Sequence, residues 1–444
     1  MKYQSTGFTV VATAGFAVSL LAPAYAARIY FTDQPAGAPG SVMSIAPDGT
    51  DQRTVTTVSN SPDLRGIAFH RASGRIYFLD NGTAKKIYSI LPDGSDQQEV
   101  VPVDATLINA DVEIDEAAEK IYWAEGNAGA TGNGFIKRAN LNGTQMETVV
   151  TTAPGLTTAP YFIFLDPPAG YVYWGVLGPN SGSSNFRRAT LTGGVIDPAF
   201  SITSPTRTRD IGVDPRSGIA YWCDRQTGSI YKQALVSGFI QTVGGGLNAP
   251  HGIALDLEAE KIYWADTGAR GAGSQPSARR VSRCNFDGTE FETLSTPAPG
   301  SEPWDLALDI GSPTYADWRT RFFSTTTPLA APTDDADEDG AENLLEYAMG
   351  THPRRAASVP FIASAGTGLK YTRRRGSNLT YTVEVSTNLN FTVWHYNGDG
   401  GGLVWTTESS VTPLDTDFET VNVTPGAVLT AASNAFFRVG VAMP

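Results

Sequence analysis

The chain has 444 residues and a formal net charge of −13, from 32 Lys and Arg against 45 Asp and Glu. Charged residues make up 17% and hydrophobic ones 41%, while Gly (46) and Pro (28) are abundant. Such a surface repels nucleic-acid phosphates, and the composition favours turn-rich β structure over helical bundles or disorder, with room for two or three domains. The basic run Arg373-Arg374-Arg375 reads as a solvated strand end.

The N-terminus has the pattern of a secretory signal over residues 1–26. Lys2 supplies positive charge, Phe8 to Leu21 is apolar, and Ala24-Tyr25-Ala26 is a small-x-small cleavage site. The apolar run is short for a membrane span, which needs about 20 residues. The expected mature protein starts after Ala26, has no transmembrane segment, and is secreted, extracellular or associated with the cell envelope. Two cysteines, Cys223 and Cys284, either pair in an oxidising compartment or stay as buried thiols.

One tetrapeptide then recurs. It appears at Tyr30-Phe31-Thr32-Asp33, Tyr77-Phe78-Leu79-Asp80, Tyr122-Trp123-Ala124-Glu125, Tyr173-Trp174-Gly175-Val176, Tyr221-Trp222-Cys223-Asp224 and Tyr263-Trp264-Ala265-Asp266. The tyrosines are 47, 45, 51, 48 and 42 residues apart, the period of a four-stranded propeller blade. An apolar strand precedes each later copy, and a surplus strand, Trp304–Asp309, follows the last. Tight turns follow the tetrapeptides at Asp48-Gly49, Asp93-Gly94, Asn142-Gly143, Gly193-Gly194 and Asp287-Gly288; blade five has Ser237-Gly238 instead. The expected Tyr/Trp role is packing between blades.

These six copies in register, over about 280 residues, resemble the YWTD propeller family of the low-density lipoprotein receptor and nidogen. The resemblance implies an all-β six-bladed propeller over 27–311, with the C-terminal strand Trp304–Asp309 closing the first blade. It also implies a backbone-bonding role for the fourth residue of each tetrapeptide, which Val176 cannot fill.

Aligning the strands that precede each tetrapeptide on their last residue selects one face. Five residues before that end stand Arg65, Ala110, Tyr161, Arg209, His251 and Trp304; four before stand Gly66, Asp111, Phe162, Asp210, Gly252 and Asp305. Acids alternate around the ring. They either hydrogen-bond neighbouring backbones, with Arg65 and Arg209 as ion-pair partners, or hold a polar ligand or hard cation at the channel mouth. The ligand-binding candidates are therefore Arg65, Asp111, Tyr161, Arg209, Asp210, His251, Trp304 and Asp305. Long Gly-rich loops at Gln34–Gly40, Gly126–Gly134, Val176–Ser184 and Thr267–Ala278 share this face. Six-bladed lactonases hold a central metal, but their ligands have no counterparts here, and no catalytic signature is visible.

After the propeller, Asp335, Asp337, Asp339, Gly340 and Glu346 fit D-x-D-x-D-G-x5-E, the calcium-loop pattern. The Ala341 carbonyl and Asn343, directly or through water, complete the expected ligand set. Glu342 departs from the usual apolar residue. Helices are expected at Tyr315–Phe323 and Glu342–Met349, giving a helix–calcium loop–helix linker over 312–355. The segment resembles dockerin and thrombospondin type 3 calcium loops, and an acidic module near the C-termini of secreted proteins of Verrucomicrobia-type bacteria.

From 356 to 444 the pattern is a small β-sandwich, with strands at Thr380–Ser386, Leu403–Thr407, Thr420–Val423 and Phe436–Val441. It resembles the tail domain that accompanies the acidic module. Trp394, Tyr396 and Trp405 read as core aromatics rather than a carbohydrate-stacking surface. The sequence favours a non-catalytic extracellular binding protein, with an extracellular protein or glycan as ligand, calcium stiffening the junction and no organic cofactor. The alternatives are a propeller hydrolase or lyase acting at the channel mouth, and a structural or adhesive component of the envelope.

Overall fold

The computed structural model describes residues 12–14, 27–35, 37–59, 61–126, 133–153, 159–176, 184–204, 207–236, 238–268, 279–295, 301–311, 314–323, 329–355, 358, 360, 362–365, 368–387, 393–397, 403–414, 417–426, 429 and 435–443. The signal-like segment lies outside them except for Ala12–Ala14, a short strand parallel to Val441–Met443. The cleavage site and most of the four Gly-rich loops also lie outside them.

Six four-stranded antiparallel sheets occupy the compact unit Ala26–Ile310. Each tetrapeptide lies in the second strand of its sheet: Arg28–Asp33, Arg75–Asp80, Lys120–Gly126, Tyr171–Val176, Ile219–Asp224 and Lys261–Asp266. The inner strands of blades two to six are Leu64–His70, Ile108–Asp115, Pro160–Asp166, Thr208–Asp214 and Pro250–Asp256. Blade one takes its inner strand from the far end of the repeat. Pro303–Asp309 pairs with Arg28–Asp33, Arg28 opposite Asp309. The ring is thereby closed by hydrogen bonds between its two ends.

Neighbouring side chains on a strand point to opposite faces, so each tetrapeptide packs both ways. Tyr30 joins the core that contains Phe78, Tyr77 joins Trp123, Tyr122 joins Trp174, Tyr173 joins Trp222, Tyr221 joins Trp264, and Tyr263 joins Phe31. One sequence pattern thus builds all six interfaces, including the one that closes the ring. The turn glycines are needed twice over. Gly143 has φ +80°, and a Cβ on it would lie 1.9 Å from the Val100 carbonyl oxygen of the preceding blade. Cys223 and Cys284 are buried free thiols.

The second unit contains Gly311–Pro444. Helix α1 (Tyr315–Phe322) starts at a Thr314–Asp317 capping box, and α2 (Asn343–Met349) ends at Gly350 in the left-handed region. One sheet has the order Ile362–Ala365, Gly368–Arg374, Phe418–Pro425, Thr406–Pro413; another pairs Thr380–Ser386 with Phe436–Met443. Three expectations fail here. The strand expected at Leu403–Thr407 begins instead at Thr406, because the Asn397 side chain accepts the Trp405 and Thr406 N–H groups at 2.8 and 3.0 Å. The basic run is not a solvated end. Arg374 is buried between Tyr347 and Phe418, its guanidinium carbon 4.1 and 4.5 Å from their ring centroids, and Arg373 pairs with Glu408 and Glu419. The three aromatics are not a core group either: Trp405 stacks on His395, Trp394 lies under Arg438, and Tyr396 is exposed.

Candidate functional site

The mouth of the channel is made by a repeated irregularity. In every blade the register between inner and second strands shifts across the two residues that the alignment singled out. Leu64 faces Asp80 and the next pair is Ile67–Phe78; Asn109 faces Glu125 and the next pair is Val112–Trp123. The same shift occurs at Pro160/Ile163, Thr208/Ile211, Pro250/Ile253 and Phe31/Asp33. A bulge of this kind re-aims side chains and takes backbone groups out of the ladder.

The three alternating aspartates satisfy those backbone groups. Asp305 accepts from Leu306 N at 2.8 Å and, across to blade two, from Ile67 N at 3.1 Å. Asp111 accepts from Val112 N and from Ile163 N of blade four, both at 2.8 Å. Asp210 accepts from Ile211 N at 2.8 Å and from Ile253 N of blade six at 2.9 Å. Each odd blade is therefore tied to the even blade after it. Small residues permit the approach: a Cβ on Gly66 would lie 2.5 Å from Asp111 Cα, and one on Gly252 would lie 2.4 Å from Asp305 Oδ1.

The three carboxyls also feel one another. Burial pushes the Asp305 carboxyl up to about 7. Asp111 and Asp210 are raised as well, by burial first and then by the Asp305 charge. Sequence alignment missed a fourth member. Glu113 occupies a position that is Ala, Gly or Phe in the other blades, and burial, then the Asp305 charge, lifts its carboxyl to about 8. No periodic signal marks a residue present in a single blade. These carboxyls do not converge as metal ligands; among the described residues only Asp335, Asp337 and Asp339 do so.

Above the acids lies a belt of larger side chains. Trp304 lies tilted against His251 with centroids 3.6 Å apart, His251 meets Phe162 at 5.1 Å, and Phe162 meets Tyr161 at 5.0 Å. Arg65 reaches the Tyr161 hydroxyl at 3.5 Å and lies over Trp304; Arg209 lies over the Tyr161 ring. Neither arginine pairs with the channel aspartates, which corrects the ion-pair expectation. Arg65 instead grips Asp63 with both prongs, Nε to Oδ1 at 2.8 Å and Nη2 to Oδ2 at 2.9 Å. Arg209 donates Nη1 to the Thr208 carbonyl, at 3.0 Å.

The acidic loop of the second unit contrasts with the channel. Gly340 N donates to Asp335 Oδ2 at 2.9 Å and Ala341 N donates to Asp339 Oδ1 at 2.8 Å. The backbone takes positive φ at Glu338 and Gly340. This folds Asp335, Asp337 and Asp339 together, with one oxygen of each within 4.8 Å of the others. The remaining Asp335 Oδ1, both Asp337 oxygens and Asp339 Oδ2 are buried without a hydrogen-bond partner, as are both oxygens of Glu346. Burial, then repulsion from Asp337, Asp339 and Asp335, pushes the Glu346 carboxyl up to about 9. The donor set is all oxygen and acidic, which fits a hard divalent cation. Asn343 is anchored by its amide nitrogen to the carbonyls of Ala331 and Leu329, and its Oδ1 has no partner. Glu342 belongs to the same group: its Oε2 is buried without a partner, and the Asp335 charge helps raise its carboxyl.

No family model matches the chain. Over 204 residues it is 26% identical to the low-density lipoprotein receptor-related protein 1 of Pyricularia oryzae, covering 42% of this chain and 64% of that protein. Over 178 residues it is 27% identical to the low-density lipoprotein receptor-related protein 5-like protein of Homo sapiens, covering 39% and 61%. The chain thus spans less than two thirds of the length of the curated relatives it matches. A chain of a nidogen/laminin complex superposes with a TM-score of 0.51 at 15% identity, covering 64% of this chain and 98% of that one. The first unit is a β-propeller of YWTD type.

Proposed function

We propose that this chain is an exported, non-catalytic binding protein whose propeller presents a recognition face at the inner-strand starts, and whose acidic loop binds calcium. The observation that carries the first part is the use of the channel aspartates. All three are held by pairs of backbone N–H groups, so the ring that a metal-dependent hydrolase or lyase would need is occupied in joining blades. The propeller superposes on a chain of a complex between nidogen and laminin, and the curated relatives are named as receptor-related proteins. No helix among the described residues is long and apolar enough to cross a membrane. An N-terminal signal, removed after Ala26, would deliver the chain to an extracellular or envelope site, where a protein or glycan is the partner.

The buried, unpartnered oxygens of Asp335, Asp337, Asp339 and Glu346 support calcium. The ion would also draw on the Ala341 carbonyl and on Asn343 or Glu342. It would fasten α2, whose Tyr347 carbonyl accepts from Arg374 Nε at 2.9 Å, and so stiffen the segment that follows the propeller. Titration calorimetry on the full chain tests this: one calcium should bind, and Asp337→Ala with Asp339→Ala should abolish it. Unchanged binding in the double variant would remove the loop from the reading. A protein and glycan array probed with the full chain tests the platform. Capture weakened at least tenfold by Tyr161→Ala supports the mouth, and capture indifferent to it rejects that face.

A further inference from the structure

The two mouth arginines differ in one respect that the repeat makes legible. In blade two, Asp63 stands two residues before Arg65 and receives its Nε and Nη2. In blade five, the residue two before Arg209 is Arg207. The internal carboxylate has been replaced by a second cation. Arg209 is only 3% exposed, yet its Nε has no hydrogen-bond partner, and neither has the Nε of Arg207. Asp224, the acid whose charge acts on Arg209, spends Oδ1 on the N–H groups of Gln226 and Thr227. Among the described residues no carboxylate pairs with Arg209 or Arg207, and the others supply none. Residues 36, 60, 127–132, 154–158, 177–183, 205–206, 237, 269–278 and 296–300 contain no Asp or Glu.

A buried cation with no carboxylate in hydrogen-bond contact is costly, and the Nε–Nη2 edge of a guanidinium matches two carboxylate oxygens. We propose that this edge of Arg209, with Arg207 beside it, seats a carboxylate supplied from outside the propeller, in the place that Asp63 fills for Arg65. The inference rests on the recognition face proposed above and names the chemistry it takes: an acidic side chain of a polypeptide partner, or a free carboxylic acid. Burial lowers the Arg209 guanidinium to about 10, with Arg225 and Arg207 adding repulsion, so it is still a cation at neutral pH. Tyr161, 5.5 Å below the guanidinium, would pack against the bound group's stem.

The test is thermal unfolding of the full chain freed of calcium on a chelating resin, at pH 7.5 and constant ionic strength, with chloride replaced by acetate or by phosphate. Acetate should raise the Tm saturably by several degrees. Arg209→Met should abolish the response. Arg207→Asp leaves Arg209 in place and restores the blade-two arrangement; it should raise the Tm in chloride and erase the acetate response. No acetate effect in the natural protein, or an undiminished one in either variant, overturns the proposal. A phosphate response equal to or stronger than acetate overturns the assignment to carboxylate. A capped tripeptide with a central Glu, set against its Gln counterpart, separates the sources. Saturation at one tenth of the acetate concentration or less assigns a polypeptide side chain; saturation at the acetate concentration assigns a free acid. If these arms fail while array capture still depends on Tyr161, the platform stands without the carboxylate.

Discussion

Two aspartate triads sit in this chain, and they treat their oxygens in opposite ways. In the channel, Asp111, Asp210 and Asp305 each accept two backbone N–H groups, one from their own strand and one from the next blade. In the loop, Asp335, Asp337 and Asp339 accept two N–H groups between them and leave four oxygens buried without partners. The first triad is satisfied by hydrogen bonds within the protein; the second leaves oxygens that the proposed cation would take up. The difference shows why a cluster of acids is no evidence of a metal until its hydrogen bonds are counted.

The largest effect that would break this comparison is expected in the channel. Asp111→Ala strands two buried N–H groups, those of Val112 and Ile163, at about 1–3 kcal/mol each. Urea unfolding of the propeller should show a loss of roughly 2–6 kcal/mol, independent of calcium. A loss below about 1 kcal/mol would mean that the clamp is dispensable. The matching change in the loop, Asp337→Ala, should behave otherwise. With a chelator present it should be neutral or slightly stabilising, because it relieves repulsion among acids. With calcium at a hundredfold excess over Kd, the natural protein gains about 2.7 kcal/mol and the variant gains little. Equal responses to calcium in the two proteins would erase the distinction between the triads.

The sequence made the scaffold legible because the Tyr-Trp pair repeats, and each member has a fixed face on its strand. The alternation of Gly66, Asp111, Phe162, Asp210, Gly252 and Asp305 was equally visible, but its meaning was not. A bulge leaves no periodic mark, so nothing in the pattern said that Asp111 would reach Ile163 N. The two mouth arginines defy the pattern for a related reason: the expectation pairs Arg65 and Arg209 with the channel aspartates, whereas Asp63, two residues upstream, takes that role for Arg65. The acidic loop is readable because the residues of its motif lie within twelve positions and one turn geometry. Glu342 breaks the motif, yet its buried Oε2 belongs with the other acids. In the C-terminal domain, the apolar run Leu403-Val404-Trp405 suggested a strand, but the Asn397 side chain takes hydrogen bonds that a ladder would have used.

The smallest expected effect concerns Glu113, and its sign can be worked out. An ordinary glutamate loses its proton near pH 4.3 in an unfolded chain, whereas burial beside Asp305 holds the Glu113 proton up to about 8. Between those values the folded protein binds the extra proton, so folding stability falls as pH rises. The same direction applies to Asp305, held up to about 7, and to Asp111 and Asp210. Glu346 titrates in the same sense, so the measurement belongs in saturating calcium, where the proposed ion would hold that carboxyl ionised. From pH 6.5 to 8 the propeller should lose stability, and Glu113→Gln, which cannot ionise, should remove on the order of 1–2 kcal/mol of that loss. Because Asp111, Asp210 and Asp305 still titrate, the variant's slope should be shallower and not flat. A slope unchanged by Glu113→Gln would place Glu113 outside the coupled group and leave the channel as three aspartates, each serving its own pair of blades.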